Sequence, residues 1–95
     1  METRPLARNT FTARSVLRAL LAHPGPEIYG RQVIEATGLQ AGTVYPILHR
    51  LEAGGWLASR WEDPAACAGF RPPRRYYQLT PDGAVQAAEA VKGRP

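Results

Sequence analysis

Gln40, Gly42, Thr43, Tyr45, Pro46, His49 and Arg50 are crowded into one short segment and supply amide, hydroxyl, imidazole and guanidinium groups with little apolar bulk. Such groups hydrogen-bond to a partner's edges. None of them stands with a base and an orienting third group in the pattern of a nucleophilic site, and no glycine-rich phosphate loop follows a strand. A second set, Arg71, Arg74 and Arg75, is cationic. Its planar guanidinium forks match phosphate or guanine in a way that lysine cannot. The chemistry on offer is recognition of a hydrogen-bonding, anionic partner, and catalysis is not expected.

Both sets need elements to hold them. Val44, Ile47, Leu48 and Leu51 recur at helical spacing and form one apolar stripe, so Gly42, Pro46, His49 and Arg50 fall on the opposite side of the same helix, flanked by Thr43 and Tyr45. Gly54 and Gly55 end it. Two starts are open: Thr43 as the cap, with Pro46 in the first turn, or Gln40, with Pro46 as a kink. Upstream, Val16, Leu17, Leu20 and Leu21 mark helix 1 between Thr12 and His23, ended by Pro24, Gly25 and Pro26. Ile28 to Thr37, with Val33 and Ile34 buried and Tyr29 a turn earlier, marks helix 2. Only Gly38, Leu39 and Gln40 separate it from helix 3. That is the helix-turn-helix arrangement, whose second helix enters a major groove, and duplex DNA becomes the expected partner.

Downstream, residues 57–62 and 75–79 alternate as two strands of an antiparallel hairpin, with Leu57, Ser59 and Trp61 on one side and Tyr77 and Leu79 inward. The loop between them, DPAACAGFRPPRR, gathers Arg71, Arg74 and Arg75 at one edge, suited to a minor groove or to phosphates. Thr80, Pro81 and Asp82 supply a cap, a first-turn proline and an early acid for helix 4, through Val91. The fold class is therefore mainly α with a small β-hairpin, in the order α/α/α/β/β/α: a winged helix-turn-helix over residues 11–91. An arm at 1–10 and a disordered tail at 92–95 flank it.

The 95 residues suffice for one core. Twelve Lys and Arg against eight Asp and Glu give a net charge of +4, which serves solubility as well as it serves an anionic partner, so the positions of the arginines decide between the two. No apolar run reaches membrane-spanning length and the N-terminus has no secretory core, so a cytoplasmic protein without membrane association is expected. Cys67 is the one cysteine, which excludes an intrachain disulfide. His23 and His49 lack further ligands at metal-binding spacing, and neither metal nor cofactor is expected.

The segments GTVYPILHRLEAGGWLASRWE and RRYYQLTPDG resemble those of the PadR family of winged-helix transcriptional regulators, over roughly Phe11 to Ala90. The resemblance implies a dimeric, cytoplasmic DNA-binding repressor. It places Thr43, Tyr45, Pro46 and His49 along the recognition helix and Arg74 and Arg75 where the wing nears the DNA backbone. The chain departs from the family in three ways. Gln40 stands where members often have serine, the C-terminal helix is shorter than in many members, and it carries no aromatic residue of the kind on which some members stack drugs. Dimerisation is accordingly expected from helix 1, the N-terminal arm and helix 4.

The residues carry plainer readings too. Tyr45 could pack against the turn or reach a phosphate through its hydroxyl, while Arg50 could complement the helix C-terminus. His49, near the middle of the polar face, favours groove contact over core packing. Trp56 and Trp61 read as core or interface aromatics. The expected function is a sequence-specific regulator of transcription, a repressor bound as a homodimer to a partly palindromic operator, with a small-molecule effector near the tryptophans as an option. The alternative is a winged-helix protein-interaction module.

Overall fold

A computed structural model describes residues 10–92. The expected arm and tail lie outside the described residues, except that Thr10 caps the first helix and Lys92 closes the last. The elements are α1 (Phe11–Ala22), β1 (Ile28–Tyr29), α2 (Gly30–Thr37), α3 (Ala41–Ala53), β2 (Leu57–Trp61), a 3-10 turn (Pro64–Cys67), β3 (Arg75–Leu79) and α4 (Pro81–Lys92).

One core joins them. Val16, Leu17 and Leu20 of α1, Val33 of α2, and Val44, Ile47, Leu48 and Leu51 of α3 meet Ile28, Trp56, Leu57, Tyr77 and Ala87. The stripe inferred on α3 is thus wholly buried. Trp56 is in the core, whereas Trp61 is 62% exposed and correspondingly no core residue. Trp61 instead lies under the guanidinium of Arg75, 5.4 Å from its ring. Cys67, at the end of the 3-10 turn in the wing loop, is buried.

One element differs from the expectation. Ile28 and Tyr29 are a strand and not the first turn of α2, pairing antiparallel with Tyr77 and Tyr76 in a three-stranded sheet ordered β1-β3-β2. A β-branched and an aromatic residue after Pro26 favour extended backbone, and the outer edge of β3 supplies the partner. α2 then starts at Gly30, where the Tyr29 N–H donates to the Gln32 side chain at 3.0 Å.

Turn chemistry sets the angle between α2 and α3. Gly38 closes α2 in the left-handed region at φ 74°, and its N–H reaches the carbonyl of Ile34. The Thr37 hydroxyl donates to Val33 O at 2.8 Å and accepts from the Leu39 N–H at 3.1 Å, so the three-residue turn is held from within. β2 and β3 pair in register from Leu57 against Leu79 to Trp61 against Arg75. At the far end, the Thr80 hydroxyl accepts from Gly83 N at 2.9 Å and donates to Gly55 O at 2.8 Å, which caps α4 and ties it to the end of α3.

Candidate nucleic-acid interface

α3 begins at Ala41 with Gln40 as its N-cap, which selects the second of the two starts. The Gln40 side chain makes no capping bond, and its carbonyl accepts from Thr43 and Val44 instead. Thr43 is therefore inside the first turn. Pro46 lies in the second, where it has no N–H to offer the carbonyl of Gly42. Both residues are exposed.

With the core stripe fixed, the outward face of α3 follows. Gln40, Gly42, Tyr45, Pro46, His49 and Arg50 are exposed and Thr43 is half-buried. Gly42, Pro46, His49 and Arg50, flanked by Thr43 and Tyr45, thus lie on the side away from the core stripe, as the periodicity required, with Gln40 exposed at the helix start. Tyr45 belongs to it only in part. Its ring is 44% exposed and lies against the backbone of Gly30, so close that a Cβ there would overlap it. The ring of Tyr45 thus packs on the start of α2 and not on the turn, bridging it to the outward face of α3.

The arginines divide unexpectedly. Arg71 makes a two-pronged pair with Glu62, at 2.6 and 2.8 Å, and Glu62 also accepts the backbone N–H of Arg74 at 3.2 Å. Arg71, by hydrogen bonding to it, holds the Glu62 carboxyl well below its usual range, at about 2. Arg75 donates to Ser59 Oγ at 3.0 Å and to Glu52 Oε1 at 3.2 Å, while Ser59 donates to Glu52 Oε2 at 2.6 Å. This triad fastens the wing to the C-terminal half of α3. Arg60 is similarly paired with Glu27 at 2.6 and 2.7 Å. The Arg74 side chain lies over the ring of Tyr29, 4.2 Å from its centroid, with no carboxylate partner among the described residues. Arg50 likewise has none among the described residues.

Glu52, Ser59 and Glu62 were not anticipated, because their partners lie on other elements or across the wing loop. No group of three or more His, Cys, Asp or Glu residues able to hold a metal occurs among the described residues, nor any helix long and apolar enough to cross a membrane.

The model of the transcriptional regulator PadR-like family matches residues 22–89, well over half of the chain. The protein belongs to the PadR-like family. That family comprises transcriptional regulators and not enzymes. Comparison with curated proteins finds no match.

Among solved structures, the PadR-like chain is similar to BpsR of Bordetella bronchiseptica, at 31% identity and a TM-score of 0.70 over 95% of this chain and 62% of that one. It is also similar to a PadR family regulator from Eggerthella lenta, at 28% identity and a TM-score of 0.62 over 80% and 64%. It thus spans somewhat under two thirds of the length of each. Bacillus subtilis PadR, solved with operator DNA, shares the fold with a TM-score of 0.72 over 93% of this chain and 50% of that one, at 17% identity.

Proposed function

We propose that this PadR-like chain is a sequence-specific double-stranded-DNA-binding regulator of transcription, acting in the cytoplasm as a homodimeric repressor on a partly palindromic operator. The observation that carries the reading is the two-sidedness of α3. Val44, Ile47, Leu48 and Leu51 anchor it in the core while Gly42, Pro46, His49 and Arg50 project as a small-residue, hydrogen-bonding face. A face without apolar bulk on a rigidly held helix suits a major groove, where the imidazole reads base edges and the small residues allow close approach. Fold likeness to a PadR solved on its operator supports the same docking.

In this reading His49 contacts bases, with Gln40 and Thr43 near the helix start, and Tyr45 sets the approach of α2. Arg74 is the wing residue available to the DNA backbone. Arg71 and Arg75 reach phosphate only by exchanging a carboxylate partner. Two copies related by a two-fold axis would place their α3 helices about one helical turn of DNA apart, giving half-sites about ten base pairs apart. The DNA binding of BpsR is regulated by 6-hydroxynicotinic acid, so a small aromatic effector is part of the proposal.

Selection of the purified protein against random duplexes at near-physiological salt tests the reading. Enrichment of an inverted repeat supports a dimeric sequence reader. An unenriched pool, together with equal affinity for unrelated duplexes, would sink it.

A further inference from the structure

An open groove of about 490 Å³ runs beside the outward face of α3, between it and the start of α1. Thr10 and Thr12 form one wall, Gly42, Thr43 and Pro46 the other, and the Arg50 guanidinium is the one charged group lining it among the described residues. We propose that this groove seats a phosphodiester of the bound duplex, gripped by Arg50 and the flanking threonine hydroxyls, on the DNA strand across the major groove from the wing. The inference rests on the DNA-binding reading above and specifies where the backbone is held.

Three observations support it. First, helical geometry separates the flanks of α3. Residues 45 and 52 lean to one side of the outward face and residues 43 and 50 to the other. Glu52 is the residue joined to Ser59 and Arg75 of the wing, so the Arg50 groove opens on the flank away from the wing. Second, the Arg50 charge has no ion-pair partner among the described residues, whereas Arg60, Arg71 and Arg75 each have a carboxylate within 3.2 Å. An unpaired guanidinium beside hydroxyl groups is complementary to a phosphate.

Third, the lining leaves room. A Cβ at Gly42 would meet nothing within 4 Å, so this wall does not crowd an occupant.

Methylphosphonate scanning tests the proposal: single phosphates of a bound duplex are neutralised one at a time, and affinity is measured for wild type, Arg50→Ala and Arg50→Lys. At one phosphate, on the strand away from the wing, wild type is expected to lose about tenfold and Arg50→Ala nothing further, with Arg50→Lys intermediate. Arg50→Ala should also lower the salt slope by about one without altering base preference. If wild type binds DNA but Arg50→Ala keeps its affinity, its slope and its sensitivity at every phosphate, the groove assignment fails while the DNA reading stands. If wild type binds no duplex, the underlying reading fails. Abolition of the Arg50→Ala effect by removal of residues 1–9 would instead identify the chain's own N-terminus as the occupant and overturn the proposal.

Discussion

The ring of Tyr45 lies on the backbone of Gly30, occupying the space that a Cβ at position 30 would need. Pro46, the next residue, faces outward while Tyr45 locks α3 against the start of α2. Gly30→Ala is expected to fold with a stability change within about 1 kcal/mol, because the obstructing atoms are the far end of a side chain that can swing into solvent. Its DNA affinity should fall through displacement of Tyr45. Combined with Tyr45→Ala it should cost no more than Tyr45→Ala alone, and additive losses in that double-mutant cycle would contradict the packing argument.

Gly83 presents the opposite case. A Cβ there would run into the backbone carbonyl of Trp56, which cannot move without shifting the core. Gly83→Ala should therefore destabilise the protein by about 3 kcal/mol or more, read by denaturant melting. Thr80→Ala should cost about 1 kcal/mol through loss of the α4 cap, and Thr80→Ser should restore it. A Gly83→Ala melt matching wild type would place Trp56 and α4 differently from the structure.

Glu62 links the wing to acid stability. Its folded value of about 2 lies below the ordinary 4.5, so the stability it contributes is fully present above pH 4.5 and is lost as pH falls towards 2. Glu27, lowered by its hydrogen bonds with Arg60, acts in the same direction. Thermal melts of wild type should decline across that window, and Glu62→Gln should flatten part of the decline. An unchanged profile in the variant would show that the Arg71 pair is not maintained in solution.

Glu52 restrains the wing's charge. Glu52→Gln weakens its hold on Arg75 and removes a negative charge beside the recognition helix, so affinity for random duplex at low salt should rise several-fold, with the difference shrinking at high salt. A fall in affinity would mean that Glu52 holds Arg75 in its binding pose.

Much of this was legible because helical periodicity is local. Val44, Ile47, Leu48 and Leu51 fixed the buried side of α3, and the outward set followed by subtraction. The Thr80 cap was readable for the same reason. The strand at Ile28 and Tyr29 was not, since two residues show no alternation and their partners are Tyr77 and Tyr76. That Trp61 lies outside the core was not legible, because period-two alternation says nothing about where a sheet leaves the core. The pairing of Arg60 with Glu27, 33 positions apart, and of Arg75 with Glu52 depends on how the sheet packs on the helices. The groove beside Arg50 needs α1 to cross α3, which no local pattern encodes.

The central claim is that the outward face of α3 reads base sequence. Equilibrium binding of wild type and His49→Ala to a selected duplex and to a scrambled one of equal length, both near physiological salt, tests it most directly. Wild type should prefer the selected duplex by about a thousandfold or more, with His49→Ala losing about tenfold or more of that preference while keeping its affinity for the scrambled duplex. Equal affinity of wild type for both duplexes, or an equal loss by His49→Ala on each, would contradict it.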